Sequence, residues 1–343
     1  MNGFPLAITG TGMVTGVGLN APASCAAIRC AIDNFQETRF MDSGGEWIMG
    51  CEVPLEKPWR GKTKQIKMAA AAIKECLEGN KKIDPGATPL LLCLSEHERK
   101  GRVIDDDNQF FLDLQEELEL EFHEKSRVIA KGHVAVAVAL KHARRLIQEL
   151  QVEHVLIAAT DSLLVGATLA HYEEHDRLLT SDNSNGFIPG EAGAALVVEA
   201  VRNKPEPQLI CMGLGFGVEE AHVYSEEPLR ADGLTVAIKE SLSDAGCEMG
   251  DVDFRITDIS GEQYYFKEAS LVLLRLLRKL KDEFDIWHPA DCIADVGSAL
   301  GIVMIGVLKA ACEKEYSKGS HILAHIGNDD GKRAAIVFGF VSA

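Results

Sequence analysis

The chain has 343 residues, 46% of them apolar and 25% charged, and carries a formal net charge of −17 at neutral pH. That length exceeds what one hydrophobic core ordinarily fills, and the apolar fraction supports a large core without help from metals or disulfides. The acidic balance, with no basic run longer than a local pair or triplet, excludes a nucleic-acid or anionic-membrane surface, which relies on clustered Lys and Arg. Nine cysteines with no CxxC pair read as reduced packing residues, not as a disulfide frame or a zinc site. The opening MNGFPLAITGTGMV lacks the basic n-region of a signal peptide, and no stretch reaches the roughly 18 uninterrupted apolar residues of a spanning helix, so a cytoplasmic chain without a membrane span is expected.

The predicted elements alternate between strand and helix. Leu6 to Thr9 is a short apolar strand running into Gly10, Gly12, Gly16 and Gly18, followed by a helix near Ala21 to Ile32. Gly10-Thr11-Gly12-Met13-Val14-Thr15-Gly16 departs from the G-x-G-x-x-G spacing and lacks the acidic residue that ends a second strand, so it reads as a packing turn rather than a cofactor loop; no cofactor is expected. Thr63 to Glu78 is an amphipathic helix and Pro89 to Leu94 a buried strand. Asp105 to Lys125 is an acidic helical segment with one sticky face. A helix from about residue 133 and strands at 154–160 and Ala194 to Glu199 follow.

Pro205 and Pro207 flank a seam between an N-terminal half, residues 1–205, and a C-terminal half, residues 206–343. Beyond it come strand Leu209 to Gly213, helix Leu234 to Ala245, strand Asp253 to Ile259, helices Lys267 to Phe284 and Ser298 to Tyr316, and strands 321–327 and Ala334 to Phe340. This alternation implies an α/β architecture, and runs such as LLLCL, HVLIAA and AAIVFGF suit strands covered on both faces. Two stretches also resemble each other. Ile129-Ala130-Lys131-Gly132-His133 opens a helix that leads to the strand His154 to Asp161, and Ile293-Ala294-Asp295-Val296-Gly297-Ser298 opens another that leads to His321 to Asp329. A unit repeated at an offset of roughly 165 residues implies two related halves rather than a short-period solenoid.

AITGTGMVTGVGLN at the start, RLLTSDNSNGFIPGEAGAALVVE at 177–199, SDAGCEMGDVDFRI at 243–256 and the ADVGSALGIVMIGVLKAA helix resemble, in order and across the whole chain, the β-ketoacyl-acyl carrier protein synthases of the thiolase superfamily. The resemblance implies a duplicated αβαβα fold of five layers, a dimer, and 3-oxoacyl-acyl carrier protein synthase (acyltransferase) chemistry in fatty acid or polyketide synthesis. Those enzymes use a Cys nucleophile at a helix N-terminus, where the dipole lowers its pKa, and two His side chains that donate to developing negative charge. Carried over position by position, the nucleophile becomes His133, the His of the N-A-H-G-T loop becomes Ser260, and the His of the G-H-x-L-G-A-A-G run becomes Asp295. A lysine of the family becomes Ala290. The acyl pocket and gate map to Gly132, Phe187, Asn328, Asp329 and Gly331.

Three readings follow from these exchanges. In the first, the chain keeps the fold but has lost condensation, like the chain-length-factor subunits that accompany active synthases. It then binds an acyl chain, an acyl carrier protein or a synthase-like subunit, as a homodimer or heterodimer. In the second, Asp295 orients His133 and His133 deprotonates Ser260, giving a hydrolase relay; against it stands the simpler possibility of a His and an Asp pairing in a vacated polar site. In the third, acyl transfer survives with another nucleophile. Glu191 reads as a structural carboxylate, and His97 to Lys100 and His171 to His175 read as solvated loops; His171 and His175 are spaced like a metal pair at i and i+4, but the central Glu is one place off and a third ligand is unassigned, so no metal site is expected.

Overall fold

The computed structural model describes residues 3–202 and 207–341. From the N-terminus it runs β1 (Leu6–Val14), α1 (Ala21–Arg29), a hairpin of β2 (Gln36–Met41) and β3 (Trp47–Gly50), α2 (Gly61–Glu78), β4 (Leu90–Leu94), α3 (Asp107–Leu118), β5 (Arg127–Ala130), α4 (Ala135–Leu150), β6 (His154–Ser162), α5 (Gly166–Glu174) and β7 (Glu191–Ala200). It continues with β8 (Gln208–Val218), α6 (Asp232–Ala245), β9 (Phe254–Thr257), α7 (Gln263–Leu276), β10 (Ile286–Trp287), α8 (Ala290–Ile293), α9 (Leu300–Glu313), β11 (His321–Gly327) and β12 (Lys332–Val341). The seam at 205/206, with Pro205, lies outside the described residues.

One hydrogen-bonded sheet runs β10-β9-β11-β12-β8-β1-β7-β6-β4-β5. Read outward from its middle, β8-β12-β11-β9-β10 and β1-β7-β6-β4-β5 have the same wiring: first strand, last, fourth, second, third. Strand directions agree as well, with β4 parallel to β5 and β6, and β9 parallel to β10 and β11, the remaining pairs being antiparallel. β1 and β8 meet antiparallel, Leu6 opposite Cys211 and Ile8 opposite Leu209, so the two sets of strands join at equivalent edges.

Period-2 alternation sorts the strand side chains into separate cores. Leu91, Cys93, Ile157, Ala159, Leu196 and Val198 on one side, and Ile256, Ile322, Ala324, Ile336 and Phe338 on the other, face a shared central layer that holds α4 and α9. Leu90, Leu92, Leu156 and Val197 face outward onto α2 and α3. Leu323, Ala335 and Val337 face outward onto α6 and α7. The result is the five-layer αβαβα arrangement. α9, reading LGIVMIGVL, is buried almost all round because a sheet covers it on each side.

Several expectations are corrected by packing. Gly10 and Gly12 lie inside β1 rather than in a turn after Thr9: a Cβ on Gly12 would stand 2.0 Å from the carbonyl oxygen of Ala72, because the backbone of α2 rests directly on the strand. Ile129 and Ala130 end strand β5 instead of opening a helix, and Ile293 ends the short helix α8. Helices α4 and α9 start later, each after a single 3₁₀ turn, Gly132–Val134 and Gly297–Ala299, whose glycines have φ of +60° and +55°. The structural counterpart of His133 in the second set is therefore Ser298, and Asp295 precedes that turn. The acidic segment is helical only over α3, and the helix expected over Lys267 to Phe284 is α7, ending at Leu276.

Candidate functional site

His133 lies in the 3₁₀ turn that feeds α4, and Asp295 lies between α8 and the matching turn before α9. Both side chains are nearly buried, and His133 Nε2 is 2.9 Å from Asp295 Oδ1. Asp295 is held rigidly. Its backbone N–H donates to the carbonyl of Ile188 at 2.9 Å, its carbonyl accepts from Gly190 N at 2.8 Å, and Oδ1 also accepts from Gly297 N at 2.9 Å. Ala294, just before it, has φ of +65°, a conformation unfavourable for any residue with a Cβ. The Phe187-Ile188-Pro189-Gly190 segment singled out in the sequence thus serves as the strap that fixes the carboxylate.

Burial pushes the pKa of His133 down, but the charge and hydrogen bond of Asp295 outweigh it, with Asp258 adding to the pull, and the imidazole is held up at about 10. Burial likewise pushes Asp295 up, and the same partner more than reverses it, leaving its carboxyl below the usual range. The pair is an imidazolium–carboxylate ion pair at neutral pH. Asp258 follows β9, accepts from Gly327 N at 2.9 Å, and is raised to about 6 by burial, against the opposing influence of His133. A cation at a helix N-terminus opposes the helix dipole, and these two carboxyl groups offset it.

Ser260 stands on the far side of Asp295. Its Oγ is 3.4 Å from Asp295 Oδ2, and it makes no hydrogen bond to His133. The order is therefore His133, Asp295, Ser260, whereas a hydrolase relay needs the imidazole in the middle. In this arrangement His133 and Asp295 pair in a polar site, and the Ser260 hydroxyl bonds to the carboxylate.

The residues expected to form an acyl pocket or gate close on the same point. Asn328 is buried; its Oδ1 accepts from Val134 N at 3.0 Å and its Nδ2 donates to the carbonyl of Lys131 at 2.8 Å. One of the free amides at the start of α4, the natural donors for an anion, is thereby occupied by the chain's own carboxamide. Gly132 packs against Glu96 and Asn328, and Gly331 against the carbonyl of Glu219. Asp329 pairs with Arg177 Nη1 at 2.7 Å and accepts from the hydroxyls of Tyr265 and Tyr172 at 2.8 and 3.2 Å. Burial raises the pKa of Asp329, and Arg177 holds it well below the carboxylate range. Phe187 is buried edge-on to Tyr172, under the Arg177 guanidinium.

Arg177 was missed as a site residue. It makes a two-pronged contact with Glu262 at 2.7 and 2.6 Å while sandwiched among Tyr172, Phe187 and Tyr224. Arg99, read as part of a solvated loop, is buried against Asp161 at 2.6 Å and Glu96 at 2.8 Å, and Asp161 accepts from Ser298 N at 2.9 Å. The signal for these groups lies in the sequence: Asp161, Asp258 and Asn328 each stand at or just past the carboxyl end of a buried strand, the edge at which open α/β sheets gather their sites. Glu191 behaves as expected, accepting from Val53 N and Ser162 Oγ at 2.9 Å each and pairing with Lys64.

His133, Arg177, Asp258, Ser260, Tyr265, Asp295, Gly327 and Asp329 enclose a space of about 10 Å³. That is room for about one water molecule. Burial pushes the thiol of Cys292 up to about 11 and that of Cys211 to about 12. The segment His171 to His175, expected as a loop, forms the end of α5 and its cap.

No protein-family model matches the chain, and no curated protein matches it in sequence. Solved structures match it along its whole length. A chain of the complex AntDE:AntF, a type II PKS acyl-carrier protein with its ketosynthase bound to the hexaketide, superposes with a TM-score of 0.80 at 14% identity, covering 99% of this chain and 100% of that one. The ishigamide ketosynthase/chain length factor gives 0.77 at 16% identity, with 98% of each chain covered. The ketosynthase ApeO in complex with its chain length factor ApeC, from Xenorhabdus doucetiae, gives 0.73 at 11% identity, again with 98% of each. The chain therefore has the thiolase-like fold of ketosynthases and chain length factors. No helix among the described residues is long and apolar enough to cross a membrane.

Proposed function

We propose that this chain is a non-condensing subunit of the ketosynthase fold, acting as the partner of a synthase-like subunit that supplies the catalytic cysteine. The observation that carries this reading is the state of the centre. Where the resemblance locates a thiolate and two neutral donors, the chain has a buried imidazolium, Asp295 bonded to it, and about 10 Å³ of free space. A carbanion or oxyanion formed there would lie beside the carboxyl groups of Asp258, Asp295 and Asp329, while the donors of His133, Arg177 and Tyr265 are already engaged by Asp295, Glu262 and Asp329 rather than free for developing negative charge. The free space beside His133 is about 10 Å³, so of the roles considered, contact with a synthase subunit or its carrier protein is favoured over acyl storage at this point. Two of the similar structures pair a ketosynthase with a chain length factor, and a third contains a carrier protein. By analogy the chain's role lies at its surface, while its centre is structural.

The test is reconstitution. The purified chain, given acyl- and malonyl-thioesters, should release no carbon dioxide and form no ketoacyl product. Isolation of the tagged chain from native extract should bring down a ketosynthase-fold protein retaining its cysteine, and that protein's condensing rate or product length should change when the chain is removed. Turnover by the chain alone, or a partner whose rate and product are indifferent to it, would contradict the proposal.

A further inference from the structure

The end of α5, outside the centre just described, brings three donor groups together. His171, Glu174 and His175 each offer a ligand atom within 4.8 Å of the other two. Helical spacing is the cause, since residues three and four apart share one face; the two imidazole rings lie with centroids 4.4 Å apart. Neither the helix nor Glu174 as a third donor was foreseen from the sequence.

The hydrogen bonding prepares the group further. His175 Nδ1 is 2.7 Å from the backbone carbonyl of His171. A carbonyl can only accept, so the proton is on Nδ1 and the lone pair of the neutral ring is on Nε2. Metal-bound histidines are oriented in this way, with the second ring nitrogen donating to a carbonyl so that tautomer and ring plane are fixed. Glu173, the neighbour, is engaged by Ser43 N, whereas among the described residues Glu174 makes no hydrogen bond or ion pair. The helix C-terminus adds partial negative charge.

We propose that His171, Glu174 and His175 form a binding site for one divalent transition-metal ion of the zinc class, with water or an external group in the fourth position. Two imidazoles and a carboxylate suit zinc, copper or nickel over magnesium or calcium. Donors in a tetrahedral zinc site stand about 3.3 Å apart, given bonds of about 2.0 to 2.1 Å. The donors must close from 4.8 Å, and the side chains that carry them are one half-buried and two exposed. Tyr224 lies edge-on to His175 with ring centroids 5.1 Å apart, and its hydroxyl accepts from Arg177 at 2.9 Å, so a bound ion would tie the end of α5 to the ionic centre.

The full-length chain, stripped with a chelator, is titrated with Zn²⁺ by calorimetry and with Co²⁺ by absorption. One ion per chain should bind, with a rise in Tm because the ion binds the folded state. The Co²⁺ spectrum should show visible ligand-field bands and no thiolate charge-transfer band, which separates this site from the cysteines. H171A and H175A should each weaken binding by about 10-fold or more, the loss that even outer-sphere changes cause at such sites, while circular dichroism and Tm without metal stay as in the parent chain. No stoichiometric binding, a thiolate band, or an H171A/H175A double variant with undiminished affinity would each overturn the proposal.

Discussion

At His133 the energetics are those of a charge pair removed from water beside a helix N-terminus. Its folded pKa is raised from 6.5 to about 10, so its contribution to stability is fully present below pH 6.5 and is lost as pH rises through 10. Asp295, whose pKa is depressed, contributes above its ordinary value of 3.8 and loses that contribution as pH falls. A urea-unfolding series across pH 6.5 to 10 should therefore show falling stability, and H133Q should flatten that slope. Asp295→Ala should cost about 3–5 kcal/mol, because it leaves a buried imidazolium unpaired, whereas the double exchange of His133 and Asp295 for apolar residues of similar volume should cost much less than the two single losses together. A double variant as unstable as the sum would show the two residues to be independent. His325 is the contrasting case. Burial, with Arg255 and Arg333 nearby, drives its pKa down to about 3, so this second buried histidine is neutral where the first is charged. The pairing of His133 with Asp295 was legible from motif positions. The Arg177–Asp329 and Arg99–Asp161 pairs were not, because each joins residues 152 and 62 positions apart with no local pattern to link them.

Among the elements, glycine decides how closely helices approach the sheet. Gly12 in β1 and Gly213, Gly215 and Gly217 in β8 each face the backbone of α2 or α6, with a Cβ landing 2.0 to 2.1 Å from a carbonyl oxygen. The same device occurs in the first strand of each set. Gly12→Ala should lower the unfolding free energy by about 1–3 kcal/mol, since strand and helix must separate. Gly79, the cap of α2, has an ordinary right-handed conformation and only van der Waals neighbours at 3.7 Å, so Gly79→Ala should be neutral or stabilise by about 0.4–1 kcal/mol. Chemical denaturation of both variants checks the pair; equal effects would mean that the helix-on-strand contact is not what these glycines serve. This contact also explains why the sequence reading ended β1 at Thr9: a glycine chosen for the helix above it looks, in sequence, like a glycine chosen for a turn. The strands β5 and β10, of four and two residues, and the nine-residue helix α5 are too short for a periodic signal.

Over the whole molecule, two sets of five strands with identical wiring bring together at one junction the 3₁₀ turns from which α4 and α9 begin. The duplication was visible in the sequence as a repeated helix-then-strand unit. Its register was not, because both copies end in glycine turns but reach them by a strand in one case and a short helix in the other. At that junction the thiolase-like fold here is filled with paired charges and hydrogen-bonded carboxamide, leaving space for about one water. The central claim is that this centre no longer takes up acyl groups. Intact-mass spectrometry of the chain after incubation with a reactive acyl thioester tests it most directly. The claim predicts an unchanged mass, with the active cysteine of a condensing synthase labelled in parallel; a single acyl adduct that disappears on replacing one cysteine, or His133 or Ser260, would contradict it.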